Sequence, residues 1–213
     1  MTVLPVEAAL PELRAALSAH ASAVLVAPPG AGKSTRVPLA LLDEGWRGDG
    51  RILVLEPRRL AARAAARRMA ETLGEPVGRT VGYRVRMDAK VSAATRVEVV
   101  TSGVFVRMIA DDPELAGVAA VLFDEVHERA LDTDLGLALA LDSQGALRPD
   151  LKILAMSATA DAARIAALLG GAPVVTSTGR SFPVETRHAP PAPRTRMEDA
   201  VAEAVRRALR DET

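Results

Sequence analysis

The sequence predicts a three-layer α/β fold, in which a mainly parallel central sheet is covered by helices on both faces. Short apolar runs alternate with helical patterns along most of the 213 residues. Continuous apolar strands separated by helices are typical of a parallel sheet that is buried on both sides. A glycine-rich turn follows one of these strands and an acidic cluster follows another. Ligands of such sheets bind at the carboxyl ends of the strands, where both polar segments occur.

Each element follows from the spacing of the apolar residues. Apolar residues that recur every three or four positions predict helices, and short apolar runs bounded by glycine, proline or charged residues predict buried strands. Gly74 follows a long Ala- and Arg-rich pattern and is typical of a residue that ends a helix. In chain order, the sequence predicts a helix at 10–17, a strand at 23–26, a helix at 33–42, a strand at 51–55, a helix at 60–73, strands at 81–85 and 97–100, a helix at 103–109, a strand at 118–123, a helix at 131–141, a strand at 152–156 and a helix at 197–209.

The composition is that of a globular protein. The length fits one α/β domain, or one domain and part of another, and 49% of the residues are hydrophobic while 25% are charged. No apolar run approaches the roughly 18 residues that a membrane helix needs. There are no cysteines and only three scattered histidines, which excludes disulfides and argues against a zinc site. We expect a cytoplasmic monomer without a membrane segment.

The charges are balanced overall but clustered locally. The chain has 27 basic and 27 acidic residues, so the composition carries no general polyanion signature. Aromatic residues make up only 2%; any nucleic acid should therefore be held mainly by its backbone rather than by stacked bases. Taken by itself, a basic run is more often a solvated helix face with ordinary surface charges. The basic runs comprise Arg58, Arg59, Arg63, Arg67 and Arg68, followed by Arg84, Arg86 and Lys90.

Residues 27–35, Ala-Pro-Pro-Gly-Ala-Gly-Lys-Ser-Thr, have the pattern of a phosphate-binding loop between a strand and a helix. Gly30 and Gly32 permit backbone angles and a close approach that direct successive N–H groups at phosphate oxygens. Lys33 would reach the β and γ phosphates, and the Ser34 hydroxyl would bind Mg²⁺. Ala27 occupies the first glycine position of the strict pattern. Alone, the segment could also be a plain Gly-Pro turn.

Residues 124–129, Asp-Glu-Val-His-Glu-Arg, follow the apolar run at 118–123. Two adjacent carboxylates at a strand end suit the binding of hydrated Mg²⁺ beside a nucleotide phosphate and the orientation of an attacking water. Asp124 would hold the ion opposite Ser34, and Glu125 would polarise the water. The prediction requires that the two segments meet in space.

Together these segments resemble one family, the DEAH-box RNA helicases of superfamily 2, and most closely its bacterial HrpB-type branch. The resemblance covers residues 23–184 and departs from the usual pattern at Ser102, where aspartate is more common, and at Val126, where alanine is more common. The matching segments, in the family's order, are 27–35 (motif I), 57–62 (motif Ia), 82–86, 101–103 with Arg107 (motif Ib), 124–129 with 133–134 (motif II), 157–159 (motif III) and 179–184.

The resemblance implies a RecA-like P-loop NTPase domain that uses ATP and Mg²⁺ and binds RNA through its backbone. The implied catalytic residues are Glu125, Asp124, Lys33 and His127. The implied nucleotide contacts are Pro29, Gly30, Ala31, Gly32, Lys33, Ser34, Thr35 and Arg68, the last against adenine. The implied metal ligands are Ser34, Asp124 and Glu125. The implied RNA contacts are Arg58, Arg59, Thr101, Ser102 and Gly103. Ser157 and Thr159 would couple the ATP site to RNA through His127.

The resemblance also predicts the domain organisation. We expect a RecA-like domain at 1–178, a linker with a proline-rich stretch at 179–195, and at 196–213 the start of a truncated second RecA-like domain. The function expected is that of the ATP-binding domain of an RNA helicase, which couples ATP hydrolysis to RNA binding and to unwinding or remodelling. Alone, this chain should bind nucleotide weakly and hydrolyse little, because a missing arginine finger costs about 10³- to 10⁵-fold in rate.

Two other functions fit parts of the sequence. A small-molecule kinase or another P-loop NTPase would need the phosphate-binding loop, but it leaves the segments at 124–129 and 157–159 unexplained. A nucleotide-gated interaction module without RNA activity is the second alternative. A GTPase is disfavoured, because the sequence has no Asn-Lys-x-Asp segment for recognition of the base.

Overall fold

Eight strands and seven α-helices occur along the part of the chain that the computed structural model describes, residues 4–158, 162–178, 185–191 and 194–211. The strands are β1 (Ser22–Val26), β2 (Arg51–Leu55), β3 (Val81–Val85), β4 (Asp88–Lys90), β5 (Val97–Val100), β6 (Val118–Phe123), β7 (Lys152–Ser157) and β8 (Val174–Thr176). The helices are α1 (Leu10–Ala19), α2 (Lys33–Ala40), α3 (Arg59–Thr72), α4 (Ser102–Asp111), α5 (Leu131–Ala146), α6 (Ala162–Leu168) and α7 (Met197–Asp211). Short 3₁₀ helices occur at Pro5–Ala9, Gly45–Arg47 and Val126–Glu128.

The strands form one sheet in the order β4-β3-β5-β2-β6-β7-β1-β8. Neighbouring strands are parallel except for the antiparallel pair β3 and β4, which confirms the predicted mainly parallel sheet. Strand β6 lies between β2 and β7, and β7 lies between β6 and β1. The segments that follow β1, β2, β6 and β7 therefore leave the sheet on the same side, at the carboxyl ends of the strands.

Alternate residues of the strands point into two separate cores, one on each face of the sheet. Leu25 and Val54 pack into the core that contains Leu13 and Met69 of helices α1 and α3. The adjacent residues Val24 and Leu55 join the other core, which residues of α4, α5 and α6 also form. The period-2 alternation of a strand places neighbouring side chains on opposite faces. The predicted three layers are thus confirmed.

The β3–β4 hairpin, which the sequence does not predict, depends on Gly82. A Cβ atom at this position would lie 2.4 Å from the carbonyl oxygen of Lys90, so the close approach of the two strands requires glycine. Met87, between the strands, has a left-handed backbone with φ of 63°. A three-residue strand such as β4 shows no periodicity that sequence reasoning could use.

Two further elements are absent from the sequence-based prediction, α6 and β8. Both are short, and α6 is rich in alanine, so neither has the length or the apolar contrast that marks an element in sequence. Helix α5 also continues to Ala146, five residues beyond its predicted end.

Contacts between Cα atoms divide the chain into Met1–Arg180 and Ser181–Thr213. Within the second unit, residues 185–191 are exposed and lack regular secondary structure, and Met197–Asp211 forms helix α7. The motif at 179–184 lies outside the described residues. The boundaries at 178 and 195 stay predictions. No helix among the described residues is both long enough and apolar enough to cross a membrane.

Candidate functional site

The glycine-rich turn connects β1 to α2 in a conformation that needs its glycines. Gly30 and Gly32 have φ angles of 73° and 95°, a region that side chains rarely tolerate. A Cβ atom at Gly32 would also lie 2.7 Å from Cδ1 of Leu4. At the start of the turn, the Ala27 N–H donates to the carbonyl of Ser157 at 3.0 Å. The turn is thereby joined to the end of β7.

Lys33 is the first residue of α2, and its side chain turns back over the loop. Its ammonium group donates to the carbonyl oxygens of Ala27 at 2.8 Å and Pro28 at 3.3 Å, and the residue is only 4% exposed. A positive charge held at a helix N-terminus, where main-chain N–H groups are unsatisfied, favours a bound anion. The turn therefore has the charge and the donors of a phosphate site.

The other predicted phosphate contacts differ in what they offer. Pro29 is exposed, whereas the Ala31 side chain is buried. The Thr35 hydroxyl lies 3.5 Å from the carbonyl of Gly32. Ala31 can thus contribute only its main chain to a ligand, as expected in a loop that binds phosphate by its N–H groups.

Asp124 meets the phosphate turn at the carboxyl end of β6. The Ser34 hydroxyl donates a hydrogen bond to its Oδ2, and the Glu125 N–H donates to its Oδ1 at 2.9 Å. Its own N–H donates to the carbonyl of Leu55 at 3.1 Å, which ties it to the end of β2. Burial raises the pKa of Asp124, and the nearby Glu125 charge adds to that rise although the Ser34 hydrogen bond opposes it. A cation bound here would favour the ionised carboxylate.

Glu125 and His127 leave the sheet through a strained turn. Glu125 has a left-handed backbone with φ of 53°, which is uncommon for a residue other than glycine and concentrates at functional sites. The His127 Nδ1 accepts a hydrogen bond from the Ala158 N–H at 3.3 Å, and Glu125 Oε2 lies 3.4 Å from the same Nδ1. One nitrogen cannot accept from Ala158 and donate to Glu125 at the same time.

His127 thus lies between the acidic pair and the segment after β7. The sequence predicts Ser157 and Thr159 as the partners of His127. The structure shows a hydrogen bond to the main-chain N–H of Ala158, the residue between them. Ser157 is fully buried at the end of β7. Thr159 lies outside the described residues.

A third carboxyl group, Glu56, joins the acidic pair. It follows β2 directly, is 7% exposed, and accepts a hydrogen bond from the Arg58 N–H at 3.2 Å. Burial, with smaller contributions from the Asp124 and Glu125 charges, raises its pKa to about 7. The sequence motifs do not identify Glu56 as a site residue. Its position directly before the Pro-Arg-Arg segment is the signal that the sequence offers.

The Ser34 and Asp124 oxygens fit a magnesium ion bound beside a polyphosphate. Among the described residues, no group of three or more His, Asp or Glu converges on a protein-only metal site. Mg²⁺ commonly takes one or two protein oxygens and completes its shell with phosphate oxygens and water. Space for a ligand exists over the turn, because a Cβ built on Gly30 would meet nothing within 4 Å.

A second concave surface, a groove of about 920 Å³, opens beside the ends of β2, β3 and β5. It brings together three of the predicted RNA contacts, Arg59, Thr101 and Gly103. Four arginines against two aspartates give it an excess of positive charge. The charged side chains that line it are Arg59, Arg84, Arg86, Arg107, Asp111 and Asp132.

The remaining predicted RNA contacts lie outside this groove lining. The Arg58 side chain forms an ion pair with Glu128. The Ser102 hydroxyl is buried and bonded to that of Thr133 at 2.8 Å, so it is engaged within the protein. The basic stretch that includes Arg84 and Arg86 is evident in the sequence, but no motif assigned these two residues to the RNA site.

Arg68, the predicted adenine contact, lies on the exposed surface of α3. Its side chain is 71% exposed, and its Nη1 lies 3.8 Å from Glu71. Within the described part of the chain, it makes no hydrogen bond or ion pair with the phosphate turn. Its role stays a prediction.

Comparison with known proteins gives consistent matches. The family model described as DEAD/DEAH box helicase matches residues 7–168. The chain is 55% identical over all 213 residues to the ATP-dependent RNA helicase HrpB of Escherichia coli (strain K12), of which it covers 26%. A second relative is the pre-mRNA-splicing factor ATP-dependent RNA helicase prp22 of Schizosaccharomyces pombe, with 37% identity over 183 residues. The match covers 85% of this chain and 16% of prp22.

The fold matches as well. A crystal structure of Escherichia coli DEAH/RHA helicase HrpB aligns with a TM-score of 0.89 at 55% identity, covering 99% of this chain and 27% of that chain. The resemblance to DEAH-box helicases and to their HrpB-type branch is therefore confirmed, together with the RecA-like architecture. The chain spans about a quarter of the length of HrpB. This chain belongs to the DEAD/DEAH box helicase family.

Proposed function

We propose that this chain is the ATP-binding domain of an ATP-dependent RNA helicase, which couples ATP hydrolysis to RNA binding and to unwinding or remodelling. The observation that carries the proposal is the hydrogen bond from Ser34 to Asp124. It places a phosphate turn and an acidic strand end, separated by 90 positions in sequence, at one point. This is the arrangement that Mg²⁺-dependent hydrolysis of a nucleotide requires.

The residues have distinct roles in this proposal. The main-chain N–H groups of residues 30–35 and the Lys33 ammonium bind the β and γ phosphates. Ser34 and Asp124 would hold Mg²⁺, which would neutralise negative charge on the phosphate oxygens. Glu125 orients and polarises the attacking water. The left-handed backbone of Glu125 supports this role, because such strain concentrates at functional sites.

RNA would bind at the basic groove. Arg59, Thr101 and Gly103 line it, and contacts of this kind address phosphates and sugars, so they give affinity with little base specificity. Such binding should weaken with salt. Communication between the two sites would pass through His127, whose Nδ1 lies within 3.3 Å of the Ala158 N and 3.4 Å of Glu125 Oε2.

We also propose that hydrolysis needs a second RecA-like domain of the same protein, which would supply arginine residues to the transferred phosphate. The share of HrpB that this chain covers, 26%, leaves ample length for such a domain in that relative. The remaining proposals are a monomeric state and a cytoplasmic location. The absence of cysteine agrees with a reducing compartment.

The test is RNA-stimulated ATP hydrolysis, measured for this chain and for the full-length product of its gene. The full-length protein should hydrolyse ATP faster when RNA is added, and this chain should show little turnover. Glu125→Gln should lower the RNA-stimulated rate about 10²- to 10⁴-fold while leaving nucleotide binding in place. The matched control is Glu12→Gln on the exposed surface of α1. An unaltered rate in Glu125→Gln would remove the assigned role of this residue.

A further inference from the structure

Glu98 is a carboxylate with no solvent exposure in strand β5. Its Oε1 accepts a hydrogen bond from Arg84 Nε at 2.7 Å, and its Oε2 accepts one from Arg51 Nη1 at 3.0 Å. A buried ion pair is weak evidence for stability, because desolvation of the charges offsets their attraction. The arrangement of Arg84 supplies a functional reason for Glu98.

Arg84 is fixed at two points beside the basic groove. Its carbonyl oxygen accepts a hydrogen bond from the Thr101 N–H at 3.4 Å, and its Nε is bound by Glu98. The side chain is still 40% exposed and lines the groove with Arg59 and Arg107. Among the described residues, no acceptor bonds its two Nη groups. A guanidinium is planar, so a contact that holds Nε also sets the direction of the Nη donors.

The charges of this cluster leave a surplus at the groove. Arg51 and Arg84 together carry two positive charges and Glu98 carries one negative charge. Arg51 does not line the groove, so the surplus is presented there by Arg84. Because Glu98 has no exposure, it acts as a fixed counter-ion and does not compete with a ligand from the solvent side.

We propose that Glu98 is a positioning residue, which orients the Arg84 guanidinium as a further phosphate contact for single-stranded RNA in this groove. The inference rests on the proposed RNA function and adds two residues to it. Arg84 would touch the RNA phosphate through its Nη groups, and Glu98 would act through Arg84.

The first experiment compares Arg84→Gln and Arg84→Lys by fluorescence anisotropy with a labelled oligouridine, over a series of potassium chloride concentrations. Arg84→Gln should weaken binding about 5- to 30-fold and reduce the salt slope by about 0.7 for one lost phosphate contact on a single strand. Arg84→Lys keeps the charge but lacks the planar fork, so its affinity should fall nearly as far. Arg67→Gln, exposed on α3 outside the groove lining, is the matched control.

The second experiment tests Glu98→Gln, with thermal unfolding to establish that the variant is folded. It should weaken oligouridine binding, and in this background Arg84→Gln should cost less than it does in the wild type. Wild-type affinity in Arg84→Lys, or in a folded Glu98→Gln, would overturn the positioning role. If Glu98→Gln does not fold, the two Arg84 variants decide alone. If the wild-type protein binds no oligouridine, the proposed RNA function fails instead.

Discussion

The Ser34 hydroxyl and the Asp124 carboxylate form a direct hydrogen bond between the start of α2 and the end of β6. Strand β7 lies between β6 and the strand β1 that leads into α2, so the contact crosses the carboxyl edge of the sheet. Both oxygens are hard ligands of the kind that Mg²⁺ prefers. These two residues would hold the ion, which would supply positive charge beside the nucleotide phosphates.

Ser34→Ala should therefore weaken binding of magnesium ATP more than binding of ATP in the presence of a chelator. The loss of one oxygen ligand, or of one hydrogen bond to a charged group, corresponds to about 10- to 100-fold in affinity. Titration calorimetry with and without Mg²⁺ measures both quantities. Ser18→Ala on the exposed end of α1 is the control. Equal losses under the two conditions would contradict a metal role for Ser34.

Glu56 predicts how the stability of the nucleotide-free protein depends on pH. Its pKa is raised from 4.5 to about 7, so between these values the folded state holds a proton that the unfolded state has lost. Stabilisation by this group is complete below about pH 4.5 and is lost as the pH rises through about 7. Allowing for solvent screening, the free energy of unfolding should fall by about 1–3 kcal/mol over this window.

Urea unfolding at a series of pH values measures this change. Glu56→Gln keeps an acceptor for the Arg58 N–H and removes the titration, so it should flatten part of the fall. Asp124, whose pKa is also raised, contributes in the same direction and leaves a residual slope. Asp88 and Asp150 have lowered pKa values, and their opposite effect falls below this window. A pH profile unaltered by Glu56→Gln would contradict the assignment.

Substitution by alanine should have different effects on the free energy of unfolding at Gly82 in β3 and at Gly145 in α5. Gly82→Ala places a Cβ atom against the Lys90 carbonyl, and a main-chain atom cannot move aside as a side chain can. We expect a loss of about 1–3 kcal/mol in the free energy of unfolding. Gly145 lies in α5, where an added Cβ atom would meet nothing within 4 Å. Gly145→Ala, measured by the same urea titration, should be neutral or stabilise by up to about 1 kcal/mol. Equal effects of the two variants would contradict the crowding at Gly82.

The long buried strands can be predicted from the sequence, but elements that are defined only by tertiary contacts cannot. Strands β2 and β6 have their predicted bounds, because the apolar run of each ends at a polar residue. Strand β5 also has its predicted bounds, although Glu98 interrupts its valines. Strand β4 exists because Gly82 lets Lys90 approach, which is a contact rather than a pattern. The meeting of Ser34 and Asp124 could be predicted, since both follow parallel strands. The burial of Glu56 could not, because a single polar residue after a strand forms no pattern that marks it as buried.

The contact between His127 and Ala158 predicts that His127 is needed for the RNA stimulation of ATP hydrolysis but not for nucleotide binding. Its Nδ1 accepts the Ala158 N–H at 3.3 Å, and the side-chain oxygen of asparagine can occupy a similar place. His127→Ala should abolish most of the RNA stimulation of ATP hydrolysis in the full-length protein while changing the affinity for magnesium ATP less than about threefold, roughly 0.6 kcal/mol. His127→Asn should retain a larger part of the stimulation.

Two measurements on the same preparations decide this. Nucleotide affinity is measured by titration calorimetry, and the hydrolysis rate is measured with and without saturating oligouridine. His20→Ala, at the exposed end of α1, controls for the loss of an imidazole. A His127→Ala variant that loses nucleotide affinity and stimulation together would place His127 in nucleotide binding. Full stimulation in that variant would show that the signal from RNA reaches Glu125 by another route, for which the hydrogen bond from the Arg58 N–H to Glu56 is a candidate.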